Sequence, residues 1–397
     1  MIKHLCKLVW NRKRANFLIA VEIFVSFLVL FAVVLLAVYF SNNYRQPLGF
    51  SYQNAWNVGI DMKQLSDDYF SPEQAETARQ LYLALRQFDE VELAAGAHST
   101  PFTHGGSFGR FDLNGGSIDF QRNEVTDDFN QVMGLKLTRG RWFGKDDDGA
   151  NYEPVVINQT FAHERFGEQD PLGQRLNRTE DRVEQRVIGV VNAFRHSGEF
   201  ADAANYLFER KNLNDPKQRP PRNLLIKLRP GTTRAFEEKL VARLQAVAKD
   251  WSFDVQPLTD LRDSNLKLAL APIIVGGVVV GFLMIMVGLG LTGVLWQSVT
   301  QRTKEIGLRR AKGATKQRIY RQILGELLII TTAGLVIGVL VVVQFPLLGV
   351  LGFASPKVYA YSIMISLALI YALTAVCGLY PSWLATKVQP ADALHYE

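Results

Sequence analysis

Cysteine and histidine are scarce: the 397 residues include two cysteines and six histidines. Cys6 precedes the first long apolar run and Cys377 lies in the last, so the polar middle of the chain has no disulfide to staple it. Roughly 225 polar-rich residues must be held by their own core, and that length suffices. His98 and His104 flank a Ser-Thr-Pro-Phe-Thr stretch at no metal-ligand spacing and read as a solvated loop. Asp146–Asp148 lacks the EF-hand pattern and reads as a solvated turn. No grouping of nucleophile, base and orienting residue is visible, which argues against a membrane-anchored enzyme. The phosphate-cradling G-x-x-x-x-G-K-[ST] loop is also missing. Its nearest approach, Gly140–Lys145, is one residue short and is followed by Asp146.

What the chain does have is long apolar runs. Crossing the hydrocarbon core takes about 20 mostly apolar residues. Four segments qualify: 15–40, 268–296, 323–351 and 358–384. None alternates with strand periodicity, so spanning helices are expected rather than a barrel. The first run is too long for a signal-peptide core and lacks a small-x-small cleavage site, so it reads as an uncleaved anchor. The net charge of +6 is not a nucleic-acid signal, because the basic residues gather beside the runs. Lys3, Lys7 and Arg12–Arg14 precede the first, and Arg302, Lys304, Arg309, Arg310, Lys312, Lys316, Arg318 and Arg321 lie between the second and third. Positive charge marks the cytoplasmic side. Both termini and the 297–322 segment are therefore expected in the cytoplasm, with 41–267 outside. Residues 1–14 are either an interfacial amphipathic helix or an ordinary basic flank.

The outer region carries a split repeat. At its start (51–99), Trp56–Ile60 and Val91–Ala97 read as strands around a helix that begins at Pro72 with Ser71 as cap. At its end (223–257), Asn223–Leu228 and Ser252–Gln256 read as strands around a helix over Thr233–Lys249. Two such β-α-β units can build one α/β layer. Between them, 100–222 reads as a mostly β insertion, with strands suggested at Phe108–Leu113, Ser117–Phe120, Val155–Ile157 and Gln185–Val191. Asp260–Leu270 is polar and continues into the second apolar run, as a helical stalk would. The expected fold class is thus a four-helix membrane protein with a large α+β extracytoplasmic domain.

Three features within the spans invite a role. Glu22 is a charge inside the first span, either functional or paired with another helix. Gly277 and Gly281 form a small-x-x-x-small face in the second span, suited to close helix packing or dimerisation. Gln297–Gly313, QSVTQRTKEIGLRRAKG, is basic and interrupted by glycine. On charge alone it fixes topology. As a short helix with Ile306, Leu308 and Ala311 on one face, it could also enter a groove on a soluble partner.

This stretch resembles the RxxEIGLRRAxGA signature of the FtsX/MacB permease family, through Glu305, Ile306, Gly307, Arg309, Arg310, Ala311, Gly313 and Ala314. Glu326 in the third span and the stretch Tyr380–Glu397, through Pro381, Ala385, Pro390, Ala391, Ala393 and Leu394, resemble the same family; 385–397 reads as a cytoplasmic tail. Val125–Phe143, with its Gly-Arg-x-Phe turn, resembles the MacB-type extracytoplasmic domain.

The resemblance implies porter-like halves, an inserted lobe, and a coupling helix at 297–322 that contacts a cytoplasmic ABC ATPase. It also implies a second permease chain, identical or related, and in a two-membrane bacterium a periplasmic adaptor and a TolC-like outer-membrane channel. ATP and Mg would sit on the ATPase, expected as a separate subunit, and this chain would bind no cofactor. Export or extraction from the periplasmic side of a peptide, toxic small molecule or lipoprotein is the implied function. FtsX-like control of a cell-wall enzyme or signalling partner is the alternative. A membrane-impermeant thiol reagent tests the topology. In intact spheroplasts it should label a cysteine placed within 100–220 and should miss one placed within 302–321; equal labelling would contradict the orientation.

Overall fold

A computed structural model describes residues 13–62, 71–103, 105–113, 116–176, 183–215, 218–301, 308–309, 313–350 and 352–387. The basic flank at 1–12 and the tail motif beyond 387 lie outside the described residues. The chain divides into two compact units, Met1–Asn42 with Leu270–Glu397, and Asn43–Ala269.

The first unit is helical: α1 (Lys13–Tyr44), the later part of a 44-residue helix (Leu258–Gln301), and two further helices, Lys316–Leu347 and Pro356–Lys387. All four are long and apolar enough to span a membrane. Each begins before its apolar run and all but the third also end beyond it, because backbone hydrogen bonding propagates a helix beyond hydrocarbon as readily as within it; Lys316–Leu347 stops short of 351. The stalk stretch and the second apolar run are one helix, broken in its bonding only where Pro272 lacks an N–H. The core of this unit is a stripe on α1, Ile19, Ile23, Phe27, Leu30 and Leu35, at the spacing that puts every third or fourth residue on one face. It packs with Leu291, Leu327, Leu335, Val342 and Ile370.

The second unit holds β1 (Ala55–Asp61), α2 (Pro72–Leu85), β2 (Val91–Ala97), β3 (Ser107–Leu113), β4 (Gly116–Val125), α3 (Phe129–Met133), β5 (Leu137–Gly140), β6 (Glu153–Asn158), α4 (Gln159–Phe166), β7 (Gln185–Val191), β8 (Tyr206–Arg210), β9 (Asn223–Leu228), α5 (Phe236–Val247) and β10 (Ser252–Pro257), and ends in the first turns of α6 (Leu258–Gln301). The helices that follow in the membrane unit are α7 (Lys316–Leu347) and α8 (Pro356–Lys387). Helix α2 starts where its residues demand. The Ser71 hydroxyl accepts the Gln74 N–H at 3.2 Å and the Gln74 side chain accepts the Ser71 N–H at 2.8 Å, with Pro72 at the first turn. The two β-α-β units interleave: β10, β1, β9 and β2 are neighbours, all antiparallel, and α2 and α5 bury Leu81, Leu85, Leu240 and Leu244 on one face.

The insertion continues the same sheet in the order β2-β4-β8-β6-β7-β5. The joint is narrow, since β2 and β4 share a single register pair, Ala97↔Val125. Buried side chains stitch it. Asn123 accepts the N–H groups of His98 and Ser99 at 3.1 and 3.0 Å and donates to the Ser99 carbonyl at 2.9 Å. Thr126 accepts the Gly96 N–H at 2.9 Å. These side chains add to two backbone bonds across the joint, His98 N–H to the Glu124 carbonyl at 2.9 Å and Thr126 N–H to the Gly96 carbonyl at 3.0 Å, and they satisfy backbone groups that would be costly to bury without partners.

Two loops expected in solvent are partly buried. Ser99 and Thr100 are buried beside a half-buried His98, because Asn123 bonds the Ser99 backbone and the Thr100 hydroxyl donates to Asn57 Oδ1 at 2.8 Å; His104 is outside the described residues. Asp147 is buried at 5% exposure and gripped by Arg141 at 2.5 and 2.8 Å, while Asp148 binds Arg210 at 2.7 Å. The Arg141 hydrogen bond holds the Asp147 carboxyl below the usual range. Tertiary pairing, invisible from spacing, buries Asp147, while Asp146 and Asp148 stay exposed as a solvated turn would leave them.

Glu209 on β8 behaves oppositely. Burial pushes its pKa up, and the nearby Arg122 only partly opposes this. An unfolded glutamate titrates near ~4.3, so above that pH the charge on Glu209 costs the fold stability, and below it the cost disappears. Glu209→Gln should therefore raise the melting temperature of the full chain in detergent near pH 7.5. The gain should shrink toward zero as the pH falls to about 4; a pH-independent gain would contradict this.

Candidate coupling site

The candidate coupling segment lies between α6 and α7. Glu305, Ile306, Gly307, Arg310 and Ala311 fall outside the described residues, whereas Leu308, Arg309, Gly313 and Ala314 are within them. Leu308 and Arg309 are helical, and Leu308 is exposed. Gly313 sits at φ +90°, and the Ala314 N–H bonds the Arg309 carbonyl at 3.0 Å. A left-handed glycine followed by this six-residue back-bond is how helices commonly stop, and a side chain at Gly313 would be strained there. Two residues later α7 begins, with the Thr315 hydroxyl accepting the Arg318 N–H at 3.3 Å.

Arg309 is anchored to α7. Its Nη1 donates to Gln322 Oε1 at 2.7 Å, and Gln322 in turn donates to Glu326 Oε1 at 3.2 Å. Val299 at the end of α6 packs with Ile319 on α7. The segment is thus tied to α7 by the polar relay, and the ends of α6 and α7 that flank it meet through an apolar contact. The relay links Glu326 in the third span, through Gln322 one helical turn earlier, to Arg309.

The helix-packing residues are distributed differently from the sequence reading. Glu22 lies against α6: a Cβ at Gly290 would meet its Oε2 at 2.8 Å. Gly277 and Gly281 have open space around them within the described residues of one chain, so a neighbour for that face would come from dimerisation, the other role its spacing suits. The contacts go through other glycines. A Cβ at Gly276 would strike Val33 at 2.7 Å, one at Gly334 the Ala20 carbonyl at 2.7 Å, and one at Gly338 the Phe27 ring at 2.5 Å. Gly334 and Gly338 have the same four-residue spacing as the pair singled out from sequence, and that was the available signal. Spacing cannot say which of two such faces meets a neighbour.

In the outer unit a cleft of about 990 Å³ is lined by both signs of charge, including Arg122, Glu124, Glu209 and Arg210. Among the described residues no group of three His, Cys, Asp or Glu side chains is placed to hold a metal.

Comparison with known proteins matches residues 17–243 to the MacB-like periplasmic core domain and residues 277–390 to the FtsX-like permease C-terminal. The Macrolide export ATP-binding/permease protein MacB of Bdellovibrio bacteriovorus is 30% identical over 291 residues, 68% of this chain and 43% of that protein. The MacB of Neisseria gonorrhoeae is 27% identical over 309 residues, 70% of this chain and 45% of that protein. The uncharacterized ABC transporter permease YvrN of Bacillus subtilis is 25% identical over 299 residues, 69% of each chain. This chain therefore spans less than half the length of the two MacB relatives. Among solved structures, the periplasmic region of MacB from Actinobacillus actinomycetemcomitans aligns with TM-score 0.40 and 16% identity, covering 54% of this chain and 92% of that one.

Gly338→Val should force Phe27 aside and cost about 1–3 kcal/mol, as overpacking usually does. Gly277→Val should leave the thermal stability of the detergent-solubilised single chain unchanged. Equal losses in thermal unfolding would contradict the assignment.

Proposed function

Since the chain belongs to the MacB-like permease family, whose periplasmic core and FtsX-like regions it carries in order, we propose that it is the permease subunit of an ABC transporter in a bacterial inner membrane. A separate cytoplasmic ATPase, holding ATP and Mg, docks on the 297–322 segment, and both termini are cytoplasmic. Hydrolysis moves the extracytoplasmic unit, which drives export or extraction of a peptide, toxic small molecule or lipoprotein from the periplasmic side. In a two-membrane host an adaptor and a TolC-like channel complete the path.

One observation supports this reading above others: helix α6 is continuous. It begins directly after β10 and ends at Gln301, beside the docking segment. A single helix of 44 residues, with Pro272 inside it, therefore joins the last strand of the outer unit to the docking segment. The apolar side chains Val278, Phe282, Ile285 and Leu289 on α6 are exposed in the single chain, together with Gly277 and Gly281. That face suits lipid or a second permease chain.

Arg309 carries the polar part of the docking segment's tie to α7. Arg309→Ala, and independently Glu305→Ala, should leave ATP hydrolysis by the reconstituted ATPase running while ATP-dependent movement of the outer unit falls by about an order of magnitude, the effect of losing one charge-assisted hydrogen bond of ~1.5 kcal/mol. Spin labels on the outer unit would report this; unaltered movement in both variants would remove the coupling assignment.

A further inference from the structure

The largest side chain with almost no exposure in the outer unit is a cation. Arg195 is 1% exposed and sits in the loop after β7. Its Nη1 donates to the carbonyls of Asn43 and Gln46 at 2.7 and 3.3 Å, where α1 ends. Its Nη2 donates to the Glu199 carbonyl at 2.7 Å and also to that of Ala201, which Nε reaches at 3.1 Å. One planar fork thus binds four carbonyls from two stretches of chain far apart in sequence. Lysine has no such geometry, because its donors radiate from a point. The end of α1 supplies the electrostatic reason for a cation there: the last carbonyls of a helix are unpaired and carry partial negative charge.

The loop so organised also holds the other end of the unit. Glu199 pairs with Arg262 on α6, and the Ser197 carbonyl accepts Asn265 Nδ2 at 2.8 Å. The Arg262 guanidinium lies over the Tyr52 ring at 5.0 Å. Asn43 reaches back to the loop, donating to the Phe200 carbonyl and to Asp202, each at 3.1 Å. Two glycines permit the approach. Gly49 has φ +84°, and a Cβ there would fall 1.5 Å from the Ala193 carbonyl oxygen. Gly198 has φ +92°, and a Cβ there would meet Asn265 Nδ2 at 2.6 Å.

We propose that Arg195 and the 195–202 loop form a clasp that locks the entry of the chain into the outer unit (43–50) to its exit (258–268), so that the two leads from the membrane act on the sheet as one input. This deepens the coupling function proposed above and rests on it for its purpose. Arg195 is a positioning residue: it fixes the loop, and the loop fixes α6 through Glu199 and Ser197.

Hydrogen exchange read by mass spectrometry on the full chain in nanodiscs tests the clasp without any ATPase, so its outcome is separate from that of the docking variants. In Arg195→Met, exchange should rise about tenfold or more in peptides covering 43–51 and 259–268 together, while β6 and β7 keep their protection. Glu199→Gln should loosen 259–268 alone. Arg195→Lys, a milder change, should show the same paired loosening to a smaller degree if the methionine variant fails to fold. Loosening of one lead only in the arginine variants, or an equal rise in all peptides, would overturn the proposal. If ATP moves the outer unit in the wild-type complex, the same movement at full amplitude in Arg195→Lys with both leads loosened would overturn the single-input role.

Discussion

A guanidinium cannot be buried without acceptors, and this constraint governs how the outer unit is built at its two ends. Leaving such a charge unpaired costs several kcal/mol, far more than an exposed ion pair returns. The carbonyls around Arg195 come from the end of α1 and from its own loop, so pulling the two apart strands the charge. Gly49 and Gly198 are then required for steric reasons, and the aromatic residues beneath, Phe50, Tyr52, Phe102 and Phe194, fill the space the loop encloses. Phe102 even accepts a left-handed backbone, φ +67°, to place its N–H on the His196 carbonyl at 2.8 Å. A strained bulky residue persists only where its surroundings fix it.

Beyond the two ends, the unit is one sheet with a narrow joint. Strand pairing there shrinks to Ala97↔Val125, and the polar side chains Asn123 and Thr126 reinforce the few backbone bonds that remain. Apolar packing crosses the joint as well, since Ala95, Leu225, Phe129 and Phe208 belong to one core. A sheet that continues through a domain, backed by a shared core, transmits displacement rather than absorbing it. This suits a part that is levered from its leads.

Much of this was legible in the residues. The four spans follow from length and apolarity, and both β-α-β units appear at their strands because each strand is a short apolar run bounded by polar turns. Ser71 and Pro72 marked the start of α2 for local reasons that hold in any context. What escaped is set by distant partners. Asp147 looks like a solvated acid until Arg141 folds over it. Arg195 looks like any surface cation, because the carbonyls that bind it include two about 150 residues away along the chain. Gly334 and Gly338 carried the right spacing, yet only packing distinguishes them from Gly277 and Gly281. Between α6 and α7, the family signature was readable at Glu305–Ala314, whereas the tie from Arg309 to Gln322 depends on how α7 starts.

That the outer unit is levered as one body is tested most directly by electron–electron spin distances in the full chain reconstituted with its ATPase. Labels at Lys249, after α5, and Glu168, after α4, lie on either side of the joint, and a label at Lys316 marks the start of α7. Levering as one body predicts that the Lys249–Glu168 distribution is the same with and without ATP, while the Lys316–Glu168 distribution shifts. A Lys249–Glu168 distribution that broadens or shifts with ATP would contradict it.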